Sequence, residues 1–181
     1  MTILKCCGAA SMALLWLSAP AMAAGAPAGA LNKTITISFT ATGMAEMPEG
    51  GTKGFSTSVV RTIYVSSAGR LFMRHSATGG VGRRTHTRGG DFDPGDTRTG
   101  KGSFSFQGTK LVGVIPYAAG ARQIVATFDA GFSSCTASVI EGHASGGVMQ
   151  RKGPNGIMHK LTGVTTSSPS CSIQSGNAFA N

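Results

Sequence analysis

Acidic residues are scarce in this chain of 181 residues, which has seven Asp and Glu against sixteen Lys and Arg. A catalytic carboxylate pair would have to come from those seven, and no pair among them stands out. The four histidines also lack the i, i+2 or i, i+4 spacing of metal ligands; they are His75, His86, His143 and His159. The sequence therefore predicts no catalytic, cofactor-binding or metal-binding residues.

Long hydrophobic runs are missing as well, apart from one near the N-terminus. The apolar run Gly8–Leu17 follows the positive Lys5 and leads to the small-x-small sequence at residues 21–23 that signal peptidase reads. This run has roughly half of the ~20 residues that a membrane-spanning helix needs. Residues 1–23 are therefore predicted to be a signal peptide cleaved after Ala23. We expect a periplasmic or secreted protein whose mature chain has no transmembrane segment.

Cysteine is rare, with four residues in all. Cys6 and Cys7 precede the apolar run, whereas a lipid-modified cysteine would follow it, and both leave with the signal. Cys135 and Cys171 remain, without the Cys-x-x-Cys spacing of redox-active pairs. In an oxidising compartment they are predicted to form one structural disulfide, contributing roughly 3–4 kcal/mol on the chain-entropy account.

The remaining 158 residues fit one domain that is large enough to bury a core. Glycine, serine and threonine are plentiful, and long helix-forming stretches are absent after the signal. This composition predicts an all-β fold, either an antiparallel β-sandwich or a small closed β-barrel of about seven or eight strands. Residues 24–32 are predicted to be a flexible leader, and residues 33–181 the β domain.

Period-two alternation identifies the first strand and two hairpins. Apolar residues alternate with Thr and Ser over residues 34–41, and residues 43–56 are predicted to form a loop. The three-residue turn at 67–69 predicts a hairpin with Val65 opposite Leu71 and Ile63 opposite Met73 on one face, and with Tyr64 and Phe72 on the other. Gly108-Thr109 predicts a type II′ turn in a second hairpin. Further strands are expected at 124–129 and 135–141, with weaker ones at 157–164 and 171–173.

Residues 79–102 are rich in glycine and charge and are predicted to form a long loop. Residues 95–101 match the first seven positions of a phosphate-binding loop, but Gly102 replaces the Ser or Thr that would reach magnesium. Asp91, Asp93 and Asp96 lack the remaining positions of an EF-hand. We interpret these acids as partners of nearby arginines, with a looser calcium site as the alternative.

The same segment contains a candidate anion-contact loop, formed by Arg83, Arg84, His86 and Arg88. The planar fork of arginine binds phosphate and carboxylate at two points. The mature chain has fifteen Lys and Arg against seven acids, so its formal charge of +8 attracts anionic partners. The competing interpretation is a solvated loop, because the aromatics that interleave with charge in nucleic-acid grooves are missing there.

Three segments, Tyr64–Phe72, Phe128–Val139 and Ser170–Phe179, resemble a set of small exported proteins of unknown function from Gram-negative soil bacteria. The resemblance covers most of the mature chain, and the two cysteine segments carry it. It implies a periplasmic or secreted location, and it supplies no catalytic residues.

Together these features predict a non-enzymatic protein that binds a small or envelope-derived ligand, inside a barrel or on the basic loop. The alternative is an envelope interaction protein that uses its basic surface against anionic lipid or polysaccharide. An enzyme ranks third, and a nucleic-acid partner is not expected.

Overall fold

The computed structural model describes residues 25–81, 86–92, 102–143, 147–152 and 157–180, with the backbone alone for Val81, residues 86–92 and residues 151–152. A single 3₁₀ turn, Ala28–Ala30, precedes ten strands. The strands are β1 (Lys33–Glu46), β2 (Thr52–Val65), β3 (Leu71–Val81), β4 (His86–Phe92), β5 (Ser103–Gln107), β6 (Lys110–Pro116), β7 (Ala121–Phe128), β8 (Cys135–Gly142), β9 (Val148–Lys152) and β10 (Met158–Ser175).

The strands form two antiparallel sheets, which confirms the predicted all-β sandwich or barrel-like fold. The larger sheet has the order β4-β3-β2-β1-β10-β9 and curls into a half-barrel, and the smaller has the order β5-β6-β7-β8. Inward positions of both sheets build the core, because alternate side chains of a strand point to opposite faces. The largest fully buried side chains include Ile35, Ile37, Ile63, Leu111 and Ile124.

The two sheets are joined where β8 lies beside β10. Cys135 of β8 and Cys171 of β10 form the predicted disulfide, with a Cα–Cα distance of 5.6 Å. Farther along the same strands, the Thr166 hydroxyl donates a 2.7 Å hydrogen bond to Glu141 Oε1. The turn after β6 adds a third link, because the amide of Ala118 donates to the carbonyl of Gln150 at 3.0 Å.

Three phenylalanines fill the core at the end where β1 begins and β2 ends. The ring centroids of Phe128 and Phe132 are 5.1 Å apart, and each is 6.2 Å from that of Phe106. Phe132 lies in the loop before β8, and its carbonyl accepts a 2.7 Å hydrogen bond from Lys33 Nζ. The 3₁₀ turn packs on this cluster, and Ala30 is fully buried. The sequence predicts a flexible leader over residues 24–32; within that range, the turn Ala28–Ala30 contributes to the core.

Both predicted hairpins are confirmed, and the first has the predicted register. Val65 pairs with Leu71, Ile63 with Met73 and Tyr64 with Phe72. Gly69 has a φ of 75°, the left-handed conformation that this three-residue turn requires. Gly108 has a φ of 59°, and Thr109 has a negative φ, as in a type II′ turn.

Other boundaries differ from the sequence expectation, because strands continue through polar and glycine-rich segments. The loop predicted at 43–56 shrinks to residues 47–51 between β1 and β2. The loop predicted at 79–102 contains the end of β3 and all of β4. The weak strands predicted at 157–164 and 171–173 belong to the single strand β10. Antiparallel ladders need only backbone groups, and their outer positions accept Ser, Thr and Gly, so the apolar pattern underestimates strand length.

The part of the chain that the structure describes contains no helix long and apolar enough to cross a membrane.

Candidate binding surface

Strand alternation places aromatic and basic side chains on the outer face of the larger sheet. Ile63, Val65 and Met73 point into the core with exposures of 0–1%, so their neighbours Tyr64, Phe72 and Arg74 point outward. Tyr64 and Phe72 are direct register partners. Their ring centroids are 6.4 Å apart with an interplanar angle of 28°, and 37% of Phe72 is exposed. The outer face therefore carries a stacked aromatic pair in contact with solvent.

Arg70, at the end of the hairpin turn, places its guanidinium carbon 5.6 Å from the centroid of the Phe72 ring. Such a contact attracts the cation to the negative face of the ring and limits the rotamers of a long side chain. The Tyr64 hydroxyl donates a 3.4 Å hydrogen bond to Asn32 Oδ1, which fixes the other ring of the pair. Arg70 itself remains exposed.

The C-terminal segment folds back over the same face and adds a third ring. Thr34 of β1 holds this segment, since its hydroxyl donates to the Gly176 carbonyl at 2.7 Å and accepts from the Ala178 amide at 3.1 Å. Thr34 is consequently 0% exposed although it is an outward residue of β1. Phe179 then lies with its ring centroid 4.7 Å from the guanidinium carbon of Arg74.

We refer to Tyr64, Arg70, Phe72, Arg74 and Phe179 as the arginine–aromatic surface. Arg70 and Arg74 are both exposed, and a guanidinium remains charged at any pH that a protein experiences. The planar guanidinium fork matches the geometry of a carboxylate or a phosphate. In the β3–β4 register Arg74 is opposite Asp91.

A second polar cluster lies inside the fold, between the two sheets. Arg122 and Glu141 are opposite each other on β7 and β8, with 2.7 Å between Nε and Oε1 and side-chain exposures of 8% and 5%. Thr166 donates to the same oxygen from the other sheet. The Arg122 guanidinium carbon is 5.0 Å from the centroid of Phe39 and 5.9 Å from that of Tyr117.

The charges of this interior pair cancel, and its contacts join strands of both sheets. Glu141 Oε2 is buried and has no hydrogen-bond partner among the described residues, so both bonds to the carboxylate fall on Oε1. The arrangement fixes the position of β8 relative to β10, and we interpret the cluster as structural.

The structure describes only some of the candidate site residues that were named from the sequence. Arg83 and Arg84 lie outside the described residues, as do Asp93, Asp96 and residues 95–101. His86 and Arg88 belong to β4 and pair in register with Gly79 and Ala77, but their side chains are outside the described part. Among the described residues, no three His, Cys, Asp or Glu side chains are grouped so that they could hold a metal ion.

The arginine–aromatic surface was not predicted from the sequence, although the sequence contains part of the signal for it. The predicted hairpin register already placed Tyr64 and Phe72 together on one face, and the same alternation adds Arg70 and Arg74. Phe179 could not be found in this way, because a non-local bond to Thr34 brings it there.

Comparison with known protein families, with curated protein sequences and with solved structures finds no match to this chain.

Proposed function

We propose that this protein is an exported, non-enzymatic binding protein that holds an anionic, envelope-derived ligand on the arginine–aromatic surface. The observation that carries the proposal is the pair of exposed arginines, each held over an aromatic ring on one outer face. Guanidinium groups with restricted rotamers lose less conformational entropy on binding than free ones do. Binding rather than catalysis is the proposed role, because this surface supplies charge and aromatic rings, and its one hydroxyl, on Tyr64, donates a hydrogen bond to Asn32 Oδ1.

The overall charge and the N-terminal sequence support the same proposal. The chain has a formal net charge of +9, which attracts anionic polymers and membranes over distances of a Debye length. The signal-like residues 1–23 and the Cys135–Cys171 disulfide favour an oxidising compartment outside the cytoplasm, where such partners are abundant.

The direct test is isothermal titration calorimetry with two anionic probes, polygalacturonate and phosphatidylglycerol vesicles, and two neutral ones, dextran and phosphatidylcholine vesicles. We expect binding to at least one anionic probe, weakening as salt is raised, and no binding to the neutral ones. Replacing Arg70 and Arg74 by Gln should reduce the affinity by roughly tenfold or more, about 1.4 kcal/mol or more.

The matched control is the double variant Lys53→Gln/Lys110→Gln, which removes the same formal charge from exposed positions outside the surface. It should keep most of the affinity. Equal losses of affinity in the two double variants would show that binding depends on net charge and not on the arginine–aromatic surface. The absence of binding to both anionic probes would refute the proposal.

A further inference from the structure

Each of the two sheets has two edge strands, and three of these four are protected against pairing with another chain. Strand β8 is held against β10 by the Cys135–Cys171 disulfide and by the hydrogen bond from Thr166 to Glu141. Strands β4 and β9 contain charged residues, which natural edge strands use to prevent such pairing. Strand β5, with the sequence Ser-Phe-Ser-Phe-Gln, has no charge and no proline. Among the described strands, β5 is therefore the edge most open to a second chain.

The β5–β6 register shows which backbone groups β5 presents at this edge. In a two-residue hairpin the residues that flank the turn exchange both backbone hydrogen bonds, and such pairs then alternate with pairs that are not hydrogen-bonded. Gln107 and Lys110 are the flanking pair. Phe104 and Phe106 therefore direct their N–H and C=O groups away from β6, while their side chains are buried in the core. Within the described part of the chain, neither phenylalanine forms a hydrogen bond outside the ladder.

The outer face beside this edge is almost free of charge, although the chain has sixteen Lys and Arg. The outward positions of β5–β8 are Ser103, Ser105, Gln107, Lys110, Val112, Val114, Pro116, Ala121, Gln123, Val125, Thr127, Thr136, Ser138, Ile140 and Gly142. Lys110 is the only charged residue among them. Two copies of a chain with a formal charge of +9 repel each other over most of their surfaces. This neutral region therefore suits a second copy better than it suits an acidic partner.

We infer that two copies of this protein associate through β5, in antiparallel pairing about a two-fold axis at Ser105. In this register Phe104 lies opposite Phe106 of the second copy, and each of the two such pairs exchanges two backbone hydrogen bonds. Ser105 lies opposite its own copy and Ser103 opposite Gln107, so only hydroxyl and amide side chains meet on the outer face. Because both copies use the same edge, the association closes at a dimer and extends the four-stranded sheet into the second copy.

The salt dependence of this dimer should be opposite to that of an anionic ligand. The two Lys110 side chains would lie roughly 20 Å apart, farther than a Debye length of about 8–10 Å, so they oppose the pairing only weakly. The remaining positive charges repel at longer range, and added salt should therefore strengthen the dimer. Binding of an anionic polymer should instead weaken. The dimer goes beyond the proposed function and does not depend on its ligand.

The first test is sedimentation equilibrium of the purified protein from about 10 μM to 1 mM, at low and high salt. We expect a reversible monomer–dimer equilibrium whose dissociation constant falls as salt is raised. Ser105→Lys and Ser105→Glu each place like charges opposite each other and should raise the dissociation constant roughly tenfold. An equimolar mixture of the two variants should restore the association. Ser138→Lys, the matched control, adds a charge to the same exposed face on β8 and should change the dissociation constant by no more than about twofold.

A cross-link tests the position of the axis independently. Opposite residues of a pair that is not hydrogen-bonded have Cα atoms about 4.5 Å apart, within the range of a disulfide. Ser105→Cys should therefore form a disulfide-linked dimer on mild oxidation. Ser138→Cys, which is equally exposed to solvent, should remain monomeric under the same conditions.

Several results would overturn the dimer. One is a monomer at every concentration and salt, with Ser105→Cys cross-linking no faster than Ser138→Cys. Another is a dimer that Ser105→Lys leaves unchanged or that the mixed variants fail to restore, which would place the interface elsewhere. A monomer whose Phe104 and Phe106 amide resonances shift on addition of a neutral peptide of alternating Thr and Val would assign this edge to a strand of another protein. Anion binding is tested separately by Arg70→Gln/Arg74→Gln, so the two proposals fail independently.

Discussion

At the scale of single residues, burial separates the charges inside the fold from those on the arginine–aromatic surface. Arg122 and Glu141 have side-chain exposures of 8% and 5%, whereas Arg70 and Arg74 are exposed above aromatic rings. A buried pair has lost its hydration and depends on its partner, so it has little freedom to bind anything else. The exposed arginines remain hydrated and depend less on any single partner. The two clusters should therefore respond differently to substitution.

Glu141→Ala is expected to destabilise the fold by about 3–5 kcal/mol, because it leaves the Arg122 charge buried without its partner. Urea unfolding of the variant, followed by circular dichroism, measures this loss. Glu46→Ala is the control, since Glu46 forms a half-exposed pair with Lys160 at 2.7 Å. It should cost no more than about 1 kcal/mol. Equal effects of the two substitutions would refute a structural role for the interior pair.

Asp129 provides a prediction about pH. Its carboxylate accepts hydrogen bonds from the hydroxyl and the amide of Ser133 and from the hydroxyl of Ser134, which lower its pKa from 3.8 to about 2. Because the folded pKa is depressed, the stabilisation is present above 3.8 and is lost as pH falls toward 2. An NMR titration of the Asp129 carboxyl carbon should give a midpoint near 2. A midpoint near 3.8 would show that these bonds do not hold in solution.

At the scale of elements, local sequence patterns predicted the two hairpins, whereas the remaining strand boundaries depend on pairing between segments distant in sequence. The turns at Gly69 and Gly108 were found because glycine with positive φ has a recognisable sequence setting. Strand β4, the end of β1 and the start of β2 were not predicted, because polar residues and glycine there interrupt the alternation of apolar and polar side chains. The arginine–aromatic surface could be predicted only in part for the same reason. Its residues on β2 and β3 belong to one local hairpin, whereas the C-terminal segment that carries Phe179 is distant in sequence.

The contact between β8 and β10, which joins the two sheets, depends on side-chain cross-links. Within the described residues β8 forms a backbone ladder only with β7, and β10 only with β1 and β9. The disulfide spans 36 residues of sequence, so replacing both Cys135 and Cys171 by Ser should cost roughly 3–4 kcal/mol in denaturant unfolding. Thiol titration of the unfolded, unreduced protein should find essentially no free thiol. Two reactive thiols would exclude the bond.

At the scale of the whole molecule, the proposed function requires that the protein leaves the cytoplasm. Trp16 is the only tryptophan and lies within the predicted signal peptide. The exported protein should therefore show no tryptophan emission, whereas an uncut precursor would show it. Fluorescence spectra of the protein purified from the periplasm or culture medium make this comparison. Tryptophan emission from that material, with the intact precursor mass, would contradict cleavage after Ala23.

We expect the ligand to bind on the outer face of the larger sheet and not between the two sheets. The most direct measurement is NMR chemical-shift mapping while a long galacturonate oligomer is added to the isotope-labelled protein. We expect shifts at the side-chain Nε–H groups of Arg70 and Arg74 and at the amides of Tyr64, Phe72 and Phe179. Shifts confined to Arg122 and Glu141, with the arginine–aromatic surface unchanged, would contradict it and place the ligand between the sheets.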